Sequence, residues 1–114
     1  MAGLRIFLGV FLLALIVYTG VVVARHGPNL LPIFFGDIAA MTWPGQFNFD
    51  FFGFLMLSAL WTAWRHDFSP LGLGLAVLAL FGGMSFLTIY LIVVSLQAKD
   101  DVKVVLMGKR RAAG

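Results

Sequence analysis

Residues 71–96 run for 26 positions without a charged side chain. At ~1.5 Å per residue, a helix of that length is longer than the ~30 Å hydrocarbon core of a bilayer. A soluble domain would have to hide the whole run from water. The rest of the chain leaves little with which to hide it, since 61% of its 114 residues are hydrophobic and 11% charged. Average soluble domains have roughly 45–50% and about 25%. A bilayer removes the conflict by acting as the solvent. No barrel-type alternation of polar and apolar residues is present, so the backbone must satisfy itself in helices. The fold class read from the sequence is all-α: a single integral membrane domain of three transmembrane helices with an interfacial connector helix. The excess length of the third span, 71–96, predicts tilt or a kink, and Gly82-Gly83 is the natural place for it.

The first span is read at 4–24. Arg5 is its only charge, and its long stem lets it snorkel to the headgroups. A cleaved signal is the other reading, but the apolar part, 6–24, exceeds the usual core of about 7–15 residues. The second span is read at 47–64, with Asn48 and Asp50 in its first turn and Trp61 and Trp64 as an aromatic belt at its end. A polar turn, 65–70, follows. Ser69 is placed as N-cap of the next helix and Pro70 in its first turn. The connector, 25–46, holds Pro28, Pro32, Pro44, Gly27, Gly36 and Gly45, which interrupt a continuous helix. It is also too apolar for a solvated loop. The expectation is a short interfacial helix over 31–40 with Trp43 at headgroup level, the alternative being a re-entrant loop. The tail, 97–114, is expected to lie on the membrane surface and then become disordered.

Charge placement sets an expected orientation. The chain has eight Lys and Arg and five Asp, with no Glu. Five of the cations (Lys99, Lys103, Lys109, Arg110, Arg111) lie in the tail. With three spans, the connector and tail share one side, which carries six basic residues against two (Arg5, Arg65) on the other. Basic flanks are retained in the cytoplasm, so the carboxyl terminus is expected there. The basic tail fits a membrane-surface or topology signal rather than a nucleic-acid patch, which would need cations across a folded face. With no cysteine, disulfide and thiol chemistry are excluded.

Asp50 is the most informative residue, because ionisable groups inside apolar segments are costly and often functional. It also suits a structural role, since a carboxylate in the first turn of a helix meets unsatisfied N–H groups and the positive dipole end. Asn48 is its neighbour at the same site. Arg25 and Lys99 are candidate partners, together with His26 and Asp37. On the third span, Gly72, Ala76, Ala79 and Gly83 follow at spacings of 4, 3 and 4 and form one small-residue face, which lets helices approach closely in lipid. Tyr90 continues that face. His26 and His66 fall at opposite membrane faces and are read as solvated, so no metal or haem site is expected. Ser69, His66 and Asp67 in a tight turn make no oriented triad. No catalytic residue and no cofactor is assigned.

The stretch Trp43-Pro44-Gly45-Gln46-Phe47-Asn48-Phe49-Asp50, the helix end Leu60-Trp61-Thr62-Ala63-Trp64-Arg65-His66, and Gly82-Gly83-Met84-Ser85-Phe86 with Tyr90-Leu91 resemble a group of small bacterial inner-membrane proteins with no assigned function. The resemblance covers most of residues 4–96 and implies a bacterial inner-membrane location. It supplies no activity.

Three functions remain open on the residues alone. The leading one is a non-catalytic accessory or binding subunit whose contacts are lipids, a larger membrane protein or further copies of itself. The second is an oligomeric transporter or proton-conducting component using Asp50. The third is a membrane enzyme acting on a lipid or isoprenoid, which needs at least two convergent polar groups at one depth, and for these the sequence offers only Asp50 with Asn48 and connector residues.

Overall fold

A computed structural model describes residues 2–113, and the described residues are all-helical. The helices are α1 (Ala2–His26), α2 (Leu30–Ala40), α3 (Trp43–Arg65), α4 (Pro70–Gln97), α5 (Val102–Met107) and α6 (Lys109–Ala113). The boundaries follow local chemistry. Gly27, at φ 80°, carries the chain out of α1. Met41 adopts the left-handed conformation and closes α2. Thr42 is then extended and Pro44 sits in the first turn of α3, where a missing N–H costs nothing. The helix therefore starts at Trp43, ahead of the expected 47, and contains no acidic residue in its first turn. Asp50 lies two turns inside, so the first-turn role read from the sequence does not apply. At the other end, the Phe68 N–H donates to the Ala63 carbonyl at 2.7 Å. The Ser69 hydroxyl accepts from the Gly72 N–H at 3.1 Å, with Pro70 opening α4, as the sequence indicated.

Helix α4 is folded back on itself. Gly83 interrupts it at φ 56°, ψ −135°, backbone angles essentially confined to glycine. A straight helix would carry Tyr90 about 30 Å from the turn at its start. Instead the Tyr90 hydroxyl lies 2.6 Å from His66 Nε2 in that turn. Leu75, before the break, packs against the cluster of Tyr90, Val94, Ala98 and Val105 beyond it. The two halves thus run out and back beside α3. A Cβ on Gly83 would stand 3.3 Å from the Phe51 ring, which places the reversal well along α3. The expected kink is present at its expected position, and it is large enough to reverse the chain.

This reversal decides which parts share an end of the molecule. The tail joins the 65–70 turn: Arg65 reaches the Val104 and Val105 carbonyls, and Arg110 and Arg111 pair with Asp67. Arg5, at the start of α1, pairs with Asp100. The three-span reading places the tail with the connector; the structure puts it at the opposite end, because the second half of α4 runs back toward the start of the first. Nor do the described residues of the tail lack order, since α5 and α6 dock on the end of α3.

Helix α1 packs on α4 through its first half. Arg5, Leu8, Gly9, Leu12 and Leu15 are its less exposed positions, while every residue from 16 to 26 is exposed. Helix α2 lies against the first half of α3, held by the Asn48 amide donating to the Phe34 carbonyl at 3.2 Å and by close backbone approach at Gly45, where a Cβ would collide with the Asp37 carbonyl. Of the small-residue face, Gly72 and Ala79 are buried and Ala76 and Gly83 are partly so. The buried apolar set is small, while Ile6, Val10, Leu13, Phe54, Leu57 and Phe81, among many others, are exposed. By length and composition α1 can cross a membrane, and α4 passes the same test only when its length is counted through the reversal at Gly83. The chain of α3, interrupted by Asn48 and Asp50, is long enough but less apolar.

Candidate functional site

Two polar regions stand at opposite ends of α3. The first is built around Arg65, the last residue of that helix. Its Nε donates to the Val105 carbonyl at 2.8 Å and its Nη2 to the Val104 carbonyl at 3.1 Å. Its Nη1 donates to the Tyr90 hydroxyl at 3.1 Å. That hydroxyl has one proton of its own, and its remaining neighbour is His66 Nε2 at 2.6 Å. With Arg65 supplying the donor on one side, the phenol donates to His66, and the imidazole proton resides on Nδ1. Burial lowers the His66 pKa, the Arg65 guanidinium lowers it further, and Asp67 partly opposes them. A neutral imidazole is the form that accepts from the phenol. Trp61 completes the cluster, meeting Tyr90 edge-on and donating its Nε1–H to the Leu106 carbonyl at 2.9 Å.

Around this cluster the aspartates are also engaged. Asp67 takes Arg110 at 3.1 Å and Arg111 at 2.8 Å. Arg111 also donates to the Trp64 carbonyl, and its guanidinium lies 4.2 Å over the Trp64 ring. Arg5 binds Asp100 at 2.5 Å and reaches Ser95, and that hydrogen bond holds the Asp100 carboxyl below its usual pKa. Asp101 caps α5 by accepting from the Lys103 N–H. Chemically this end is a clamp: its donors and acceptors face one another and fasten the tail to α3 and α4.

The second region is open. Asp50 is exposed and lines a groove of about 760 Å³ between α2 and α3 with Thr42, Gln46, Ile38, Met41 and Phe49. Thr42, Gln46 and Asp50 recur every four residues and so share one face. Among the described residues no hydrogen bond or ion pair joins Asp50 to Asn48, Arg25 or Lys99. Asn48 instead ties α2 to α3, and Lys99 lies at the far end of the molecule, in the turn after α4. Among the described residues there is no group of His, Asp or Glu able to hold a metal.

Sequence reasoning missed the clamp. His66 was read as solvated and Arg65 only as a flanking charge. The one available signal was Tyr90 on the small-residue face, a polar tip in an otherwise apolar run. The partners of Arg65 are backbone carbonyls, which leave no mark in a sequence. No family model, curated protein or solved structure matches the chain.

Proposed function

We propose that the chain is a multi-pass protein of the bacterial inner membrane that serves as a non-catalytic accessory or binding subunit, docking a partner helix along the Thr42–Gln46–Asp50 face. The observation that carries this reading is the exposure of Asp50, unpaired among the described residues, on the outer surface of an apolar helix pair. A carboxylate facing hydrocarbon is costly and calls for a polar partner or water. A partner helix offering hydrogen-bond donors or a cation at that depth satisfies Asp50 and Gln46 together. The outward aspect of Asp50 speaks against a proton path through this chain alone, and the clamp at the other end spends its polar groups on holding the tail.

In this reading α1 and α3 cross the bilayer, and α4 enters and returns from one side. Both termini then share that side with seven of the eight Lys and Arg, Arg25 alone being at the other. The positive-inside rule makes the rich side cytoplasmic. A phosphatase active only in the periplasm should be inactive when fused after Arg111 and active when inserted at Gly27. Partner docking is tested with a photo-crosslinking amino acid in place of Phe49, illuminated in native membranes. The expected result is a discrete protein adduct that disappears on Asp50→Leu. Adducts with lipid alone, and a lone monomer in native mass spectra after mild extraction, would remove the binding-subunit reading.

A further inference from the structure

The aspartates at the tail end are already used. Asp67 is taken by Arg110 and Arg111, Asp100 by Arg5, and Asp101 by the first turn of α5. Lys99, Lys103 and Lys109 are exposed and, among the described residues, have no acidic partner. The tail also divides its apolar side chains between two faces. Val105 is buried against the bundle and Val104 is partly so, while Val102 and Leu106, one turn apart, are exposed at 57% and 54%. Lys103, between those two in sequence, is exposed beside them. Leu96, at the end of α4, and Phe68, in the 65–70 turn, are exposed as well. The exposed part of this cap therefore combines aliphatic and aromatic groups with unneutralised ammonium groups.

We propose that this cap binds anionic phospholipid, with Lys99, Lys103 and Lys109 taking the headgroup charge and Val102, Leu106 and Phe68 entering the glycerol and upper acyl region. The inference rests on the membrane reading above and adds a lipid class to it. Charge complementarity selects the occupant: exposed apolar side chains beside exposed basic ones draw an interfacial segment to acidic lipid. Zwitterionic headgroups offer no net charge for the lysines. The lysines suit a loosely held headgroup better than a fixed carboxylate, because each is a point charge on a flexible stem. The arginines of the same end, whose planar forks hold fixed geometry, are the ones spent inside the clamp.

The test uses the full chain in nanodiscs of phosphatidylcholine alone and of phosphatidylcholine with phosphatidylglycerol, followed by release into native mass spectrometry. Retained phosphatidylglycerol in excess of its share of the disc is expected. Replacing Lys99, Lys103 and Lys109 with Gln should reduce that preference by roughly five-fold per lysine removed, and replacement with Arg should keep most of it. Raising salt from ~0.1 M to 0.5 M should weaken wild-type selectivity through screening. Millimolar inorganic phosphate at constant ionic strength should leave it unchanged. Insertion without preference for phosphatidylglycerol, or a preference untouched by the Gln substitutions, would overturn the lipid site while leaving the membrane reading intact. Displacement by phosphate, or by an acidic peptide at equal charge, would also overturn it by assigning the lysines to a soluble anion or an acidic protein. Failure of the chain to enter nanodiscs would overturn both readings. A melt of each variant in detergent checks that the exposed substitutions leave the fold in place.

Discussion

The two ends of α3 handle polar groups in opposite ways. At its carboxyl end, Arg65 uses three nitrogens on three acceptors, and Asp67, Tyr90 and His66 are each engaged by a neighbour. At its amino end, Asp50 and Gln46 line an open groove. One helix thus carries a closed network and an open face about four turns apart. Polar groups that satisfy one another fasten a structure together. Groups left unsatisfied on an apolar surface do no such fastening, and they are the ones the proposed partner would engage. The difference predicts that substitutions at the closed end are felt as lost stability, whereas substitutions at the open face are felt only when a partner is present.

The strongest test of that contrast is Arg65→Ala. It strips donors from two tail carbonyls and from the Tyr90 hydroxyl, and hydrogen bonds from a charged donor are worth about 1.5–3 kcal/mol each. A loss of about 3 kcal/mol is expected after partial rehydration, seen as a lower melting temperature in detergent and as cleavage of the tail under limited proteolysis. Arg65→Lys should recover only part of it, since an ammonium group lacks the planar fork. An unchanged melt with a protected tail would dissolve the closed-end description.

Gly83→Leu should come next. Its backbone conformation costs an L-residue ~1–3 kcal/mol, and the added side chain would meet Phe51 and Leu55. Leu78→Ala, at an exposed position, is the control and should shift the melt little. Equal shifts for both would argue that the reversal at Gly83 is not held by packing.

A smaller effect is expected from pH. The folded-state pKa of His66 lies below its ordinary value, so the unfolded chain binds the proton more readily. The contribution of His66 is therefore fully present above about pH 6.5 and is lost as pH falls through the lower folded value. Melting temperature should drop modestly between pH 7.5 and 5.5, and His66→Gln should flatten that dependence. A rise on acidification would reverse the assigned direction of the Tyr90–His66 hydrogen bond.

The smallest effect on the isolated protein belongs to Asp50→Asn, expected within about 0.5 kcal/mol as for other exposed substitutions. Any deletion phenotype should nonetheless be affected if Asp50 binds a partner. A large fall in melting temperature would show that Asp50 supports the fold, and the contrast between the two ends would fail.

Much of the local architecture was legible in the sequence because its causes are local. Ser69 and Pro70 act within one turn, and the prolines and glycines of the connector confine the helix at 30–40 to nearly its expected limits. The start of α3 was misplaced because Thr42 and Pro44 act as a helix start although the residues around them look like connector. Gly82-Gly83 located the break, but not its size. That size depends on Tyr90 finding Arg65 and His66, a contact between residues 25 and 24 positions apart. Because the chain reverses there, the tail returns to the end of the molecule that holds the 65–70 turn, away from the connector with which a count of three spans places it. Asp50 was recognised, but its outward aspect depends on how α2 docks.

The tail's attachment to Arg65 has a consequence for how the protein is made. The Val105 carbonyl that Arg65 binds is added to the chain forty residues later. At about 5–20 residues per second, synthesis leaves that guanidinium without its acceptor for roughly 2–8 s. During that interval α3 and the outgoing half of α4 are already made, and Arg65 and His66 have only water as a partner. Closing the tail over Arg65 therefore comes later than the making of the helices it covers, because its acceptors at Val104 and Val105 are the last of its partners to be added.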